Sequence, residues 1–450
     1  MTENAAQTVD TPRTTGPVFR PGDTGYAEEI AGFQTAYTHR PALVVGAVTA
    51  EDVRAAVEYA ARHRLPVAVQ ATGHGLSVAA DTGVLITTRR MDTVTVDPVA
   101  RTARIGAGVR AGALVEAAAA HGLAPLNGSS LSVGVVGYLL GGGLGLLARE
   151  FGYAADHVRA IELVTADGRM RTLVPGDALF GAVLGTGGNF GVVTGVELDL
   201  VPVTEIYGGQ LIFATDLVDT ALETWRRWTA TLPDTLTSTV AVLTYPDIPA
   251  LPEPVRGKHL ASIRIAFHGT AEDGERLVAP LRAIGDRLRD DLRDMPYTES
   301  HTIHSDPDFP HAYAATNALL AELSPAGLAA LRALTAPGGP VDAVVDIRHL
   351  GGALRHGGGA IDHRAAAYLV RVITGADGDA EPAALTAVRE ALAPWTIGHS
   401  PNFLYGAGAA ATAAQTAAGY TPPTLRGLAE LKRIHDPRNM FRFNRNIAPA

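Results

Sequence analysis

The stretch from residue 41 to residue 75 constrains the fold most. "PALVVG" (41–46) is apolar and reads as a strand. "TAEDVRAAVEYAARHR" (49–64) opens with Thr49 and Asp52 at capping-box spacing. Val53, Ala56, Val57 and Ala60 follow at helical spacing. "PVAVQ" (66–70) returns as a second strand. Strand, helix and strand predict a parallel pair with a helical crossover. The loop "ATGHG" (71–75) then leaves the C-terminal end of the second strand, where α/β folds often place ligands. It sets His74 between two glycines.

Further on, "TVTVDPVARTARIGAG" (93–108) and "AIELVTADGRMRTLV" (160–174) alternate like hairpins, the second turning at Asp167-Gly168. Between residues 205 and 395, strand-like runs such as "STVAVLTY", "HLASIRIAFHG", "VDAVVDIRHLGG" and "AAYLVRVIT" alternate with amphipathic helices. That pattern predicts an α+β region. "GAGAAATAAQTAAGY" (406–420) reads as surface loop or helix, and the tail "LRGLAELKRIHDPRNMFRFNRNIAPA" as a helix, a proline stop and an extended end. Residues 1–36 read as a loose lead-in.

Several function classes are disfavoured. The net charge of −9, with no basic block, argues against nucleic acid as a partner. The chain has no cysteine, hence no disulfide, thiolate nucleophile or cysteine metal site. "HTIH" (301–304) lacks the glutamate of a zinc-helix motif, so no metal site is expected. The first residues have no apolar core, and no apolar run approaches the roughly 20 residues of a membrane span. The expectation is a cytoplasmic monomer or homodimer with a small-molecule substrate and no membrane partner.

Glycine-rich loops carry the positive signal. "GAGVRA" (106–111) fits a dinucleotide fingerprint, but no acidic residue follows at ribose-binding distance, so a tight turn into a helix explains it better. "VGVVGYLLGGGLG" (133–145) and "GTGGNFGVV" (185–193), beside the His74 loop, point to backbone amides packed around phosphate oxygens. "GLSVA" (75–79) misses the nucleophile-elbow pattern by its last glycine.

Together these segments and the tail motif "HDPRNMFRFNRNI" resemble the FAD-linked oxidases of the vanillyl-alcohol-oxidase fold, in the berberine-bridge-enzyme-like branch. The resemblance spans roughly residues 20–203 and 400–450 in ordered motifs. It implies a two-lobed FAD-binding domain built from both chain ends, residues 37–203 with 399–450. A substrate domain, residues 204–398, would roof the flavin with an antiparallel sheet covered by helices. The implied FAD contacts are Ala71, Thr72, Gly73, His74, Gly75, Leu76, Ser130, Val133, Gly134, Gly137, Tyr138, Gly142, Gly143, Gly191, Val193, Asn444 and Asn446. In many relatives the histidine matching His74 is covalently bonded to FAD. The position of a second, cysteinyl bond in some relatives is Ser130 here. The tyrosine of a Tyr-x-Asn motif that many relatives use as a base is replaced by Ser400, before Asn402.

The resemblance therefore implies a flavin-dependent oxidase acting on a small organic substrate, with secondary-metabolite tailoring as the expected setting. Candidates for the proton-accepting residue are His399, Tyr405, Tyr368 and His349. Two other readings are a redox-neutral cyclase with FAD as scaffold, and a non-catalytic flavin-binding protein. Substrate-driven bleaching of the flavin separates the first reading from the other two.

Overall fold

A computed structural model describes residues 10–245, 247–249, 253–339, 341–376, 383–404 and 412–450. The 41–75 region forms as the pattern predicts, with one change of neighbours. Leu43–Gly46 and Val67–Gln70 run in the same direction, but both pair with Val84–Thr87, which lies between them. The crossover thus spans one strand position. The helix Ala50–His63 packs Val53, Ala56, Val57 and Ala60 onto this small sheet, and its capping box forms at Thr49 and Asp52.

The described part of the lead-in is not loose. Asp52 accepts backbone N–H bonds from Thr15 at 2.6 Å and Gly16 at 3.1 Å. Val18–Phe19 then adds a short antiparallel strand against Val44–Val45. One helix-capping carboxylate therefore also anchors chain more than thirty residues before it in sequence.

A second, antiparallel sheet has five strands in the order Val94–Asp97, Thr102–Gly106, Val192–Asp199, Val158–Val164 and Met170–Leu173. Both hairpins read from the sequence belong to it. The third sheet is nine-stranded, antiparallel, and made from strands between Glu205 and Gly398. Four helices, Val218–Thr229, Ala271–Arg282, Pro325–Thr335 and Ala383–Leu392, cover one face. That face holds Val345, Ile347, Tyr368, Val370 and Val372. The other face is turned toward the first two sheets' loops.

The C-terminal helix Pro422–His435 returns the chain to the small sheet. Lys432 and Asp436 are fully buried and paired at 2.7 Å. Lys432 also donates to the carbonyls of Asn189 and Phe441, while Asp436 accepts from the backbone N–H groups of Met440 and Phe441. The carbonyl of Met440 in turn accepts from Val67 N–H. Removing one member of such a pair strands a charge in the core. Asp436→Ala should lower unfolding stability by about 3–5 kcal/mol in urea titrations.

Candidate functional site

The glycine loops and the uncovered face of the nine-stranded sheet enclose a cavity of about 450 Å³. Its lining includes Ala71, Thr72, Gly73, His74, Gly75, Leu76, Ser130, Val133, Gly134, Gly137, Tyr138, Val193 and Asn444. Of the sequence-expected cofactor contacts, Gly142, Gly143, Gly191 and Asn446 do not line it. Gly143 and Gly191 permit close packing instead. A Cβ on Gly143 would lie 2.8 Å from the Tyr138 ring, and one on Gly191 2.6 Å from the Val164 carbonyl oxygen.

His74 is held on three sides. Its Nδ1 is 2.9 Å from Thr72 Oγ1 and its Nε2 3.2 Å from Ser132 Oγ. Its ring stacks on Phe33 with centroids 3.7 Å apart. Ser132 Oγ is also 3.0 Å from Ser130 Oγ, so Ser130 stands two hydrogen bonds from the histidine, through Ser132. Burial, with help from the nearby charges of Arg110 and His311, pushes the imidazole down to about 4. The ring is therefore neutral near pH 7, with one nitrogen carrying a lone pair. Tyr313 donates to the His74 carbonyl at 2.6 Å and fixes the loop from above.

Gly73 has φ +75°, and a Cβ there would lie 2.8 Å from the Gly32 Cα. Only glycine fits both requirements. At the other loop, Gly187 and Gly188 have φ +63° and +88°, and their missing side chains would meet nothing within 4 Å. That backbone is bare toward the cavity. The buried Oδ1 of Asn444 has no hydrogen-bond partner among the described residues. Bare backbone and an unanswered polar atom in one cavity fit a large polar cofactor such as FAD.

Three of the four expected catalytic residues do not line the cavity. Tyr368 and His349 are partners in register on adjacent strands, and they face the helices. The Tyr368 hydroxyl is 2.8 Å from Thr229 Oγ1. His349 Nε2 is 3.1 Å from the buried Arg149 guanidinium, and burial plus that charge pushes the imidazole down to about 3. His399 donates from Nδ1 to the Asn317 carbonyl. Tyr405 lies outside the described residues. The reason for the first two is parity: in a strand, neighbouring side chains point to opposite faces.

Residues of opposite parity on the same two strands do face the cavity. Arg348 and Arg371 line it, with Ile373, Tyr313, His311, Asn402 and Phe403. So does Asp306, which accepts a hydrogen bond from Ser129 Oγ at 2.5 Å. Burial pushes its carboxyl up, but the neighbouring His304, then Arg264, Arg371 and the Ser129 bond, outweigh this and hold it below the ordinary value. The motif reading missed Phe33, Ser132, Asp306, Arg348 and Arg371. Only the alternation of "VVDIRH" and "YLVRVI" carried a signal for the two arginines.

Comparison with known proteins gives a consistent picture. The model of the FAD binding domain family matches residues 41–173. (R)-6-hydroxynicotine oxidase of Paenarthrobacter nicotinovorans is 29% identical, over 96% of this chain and 97% of the relative. The crystal structure of 6-hydroxy-D-nicotine oxidase from Arthrobacter nicotinovorans superposes with a TM-score of 0.83 at 26% identity, covering 98% of this chain and 99% of that one. A berberine-bridge-enzyme-like protein of Physcomitrella patens superposes with a TM-score of 0.81 over 97% of both chains at 18% identity, which speaks to fold alone.

The glycine geometry makes a direct prediction. Gly73→Ala should displace the loop against Gly32 and abolish flavin retention, read as loss of visible absorbance in the purified protein. Gly187→Ala, with strain but open space, should retain part of it.

Proposed function

We propose that the chain is an FAD-linked oxidase of the vanillyl-alcohol-oxidase fold, in the berberine-bridge-enzyme-like branch, and that it oxidises a small organic molecule with oxygen as final acceptor. FAD, when bound, supplies the acceptor for a hydride from a substrate C–H bond. The observation that carries the reading is the cavity itself. Bare glycine backbone and His74 line one part of it, and polar side chains of the sheet another.

We assign the tether to His74. A neutral imidazole, oriented by Thr72, Ser132 and Phe33, can form one bond to a flavin and stay ordered while doing so. A cofactor bonded this way cannot leave, and the electron-withdrawing substituent should make it a stronger electron acceptor. A second, cysteinyl bond is impossible because the chain has no cysteine.

Asp306 is the cavity carboxylate we assign to accept the hydroxyl or amine proton of the substrate at its carboxylate oxygen. This role replaces that of His349, Tyr368 and His399, which do not line the cavity. The pH consequence follows from its sign. A carboxyl held low stays ionised as pH falls, so the base form is lost only below the ordinary aspartate value of about 3.9. The kcat/KM profile should show no acid limb between about pH 5 and 8, where a histidine base would show one. Asp306→Asn should lower kcat/KM by about 10²–10⁴-fold with flavin content unchanged.

One observation favours the redox-neutral cyclase as a second reading: the three described residues first expected to act as base lie away from the cavity. Anaerobic mixing with substrate separates the two. Bleaching of the visible flavin band supports the oxidase, whereas product formed with the band intact supports the cyclase. For the tether, acid precipitation of the wild-type protein should leave the yellow colour in the pellet, and His74→Ala should release it to the supernatant. Colour released from the wild type would refute the tether.

A further inference from the structure

We propose that the substrate carries a carboxylate or an equally delocalised oxyanion, and that the guanidinium groups of Arg348 and Arg371 receive it. The proposal rests on the oxidase reading for the fate of that substrate. The anion site itself is a property of the sheet.

Three arginines converge on one acid. Asp346, with no exposed side-chain surface, is 3.0 Å from Arg348, 2.9 Å from Arg371 and 3.8 Å from Arg264. The register explains this. Asp346 stands opposite Arg371 on the neighbouring strand, Arg348 lies two residues along on the same face, and Thr239 links Arg348 and Arg264 across the next two strands. Asp306 is the second acid that bears on the group, and His304, buried between Arg264 and Asp306, is neutral. Among these named groups, three positive charges face two negative ones.

The excess sits where it is expensive. The side chains of Arg348 and Arg371 are only 10% and 13% exposed, yet both line the cavity. The Phe403 ring lies over both guanidinium carbons, at 5.1 and 5.3 Å from its centroid. A desolvated cationic surplus is offset by an anion that supplies charge and hydrogen-bond acceptors together. Arginine's planar fork matches a carboxylate in particular. A neutral alcohol or amine substrate would add no negative charge to the groups named above.

The test uses purified holoprotein and a matched pair of probes, benzoate and benzamide, which share a shape and differ in charge. Calorimetric titration gives both affinities, and the visible spectrum of the same sample reports flavin. Benzoate should bind at least about tenfold more tightly, as a charge-assisted bond predicts. Arg348→Met and Arg371→Met should each remove that preference, and Arg348→Lys should keep part of it. Equal affinity of the two probes for the wild type overturns the proposal without reference to any variant. Substitutions that shift the flavin reduction potential but leave the benzoate preference also overturn it, because the arginines would then serve the flavin. A colourless protein that still prefers benzoate refutes the oxidase reading and keeps the anion site. A yellow protein without preference does the reverse.

Discussion

The buried pair of Lys432 and Asp436 is the interaction on which the cofactor-side wall of the cavity depends. A lone ammonium in the core would lose its hydration for nothing. Here it gains a carboxylate and two backbone carbonyls, and burial still pulls its pKa below the usual lysine value. The partners matter more than the count. The Asn189 carbonyl belongs to the turn that holds Gly187 and Gly188, and the Phe441 carbonyl belongs to the returning tail. Asn189 completes the join, donating to the Arg445 carbonyl and accepting from Ile447 N–H. A buried ion pair contributes little net stability compared with an apolar substitute. Its use here is positional: it places Asn444 and Arg445 beside a loop more than 250 residues earlier in the chain.

The order in which features became legible follows from how local their causes are. The capping box, both hairpins and the C-terminal helix were readable because each is decided within about fifteen residues. The Tyr313–Leu320 strand was not, since every residue in it is buried and no alternation marks a face. Phe33 was hidden for the opposite reason. Its segment looks polar and irregular, and only the tertiary contact with His74 gives it a purpose.

Glycine posed a different difficulty. Its abundance in the 133–145 and 185–193 loops marks unusual backbone, but it cannot distinguish two physical needs. At Gly187 and Gly188 the missing side chain leaves backbone open to the cavity. At Gly143 and Gly191 it admits a tyrosine ring or a carbonyl oxygen from behind. Both are glycine-only sites, and only the second chain segment that approaches tells them apart.

The roof shows how strand parity decides which side chains can meet the cavity. His349 and Tyr368 were attractive because they are titratable and sit on the right strands. A change of parity exchanges the helix face for the cavity face, and on the cavity face stand Arg348, next to His349, and Arg371, three residues from Tyr368. The chemistry changes with the face: two cations that cannot act as bases near neutrality replace two groups that could. Asp346 makes this arrangement possible. Its burial would raise the carboxyl, but Arg348, Arg371 and Arg264 hold it ionised and well below the usual carboxylate range. Without that charge the guanidiniums would repel one another on adjacent strands. With it they stay together on the cavity face of the sheet, which is the surface the proposed anion would meet. The proposed proton acceptor, Asp306, lies on the loop that precedes the Tyr313–Leu320 strand. On the proposed reading, recognition through the rigid sheet and proton transfer through the adjoining loop fall to different parts of one wall.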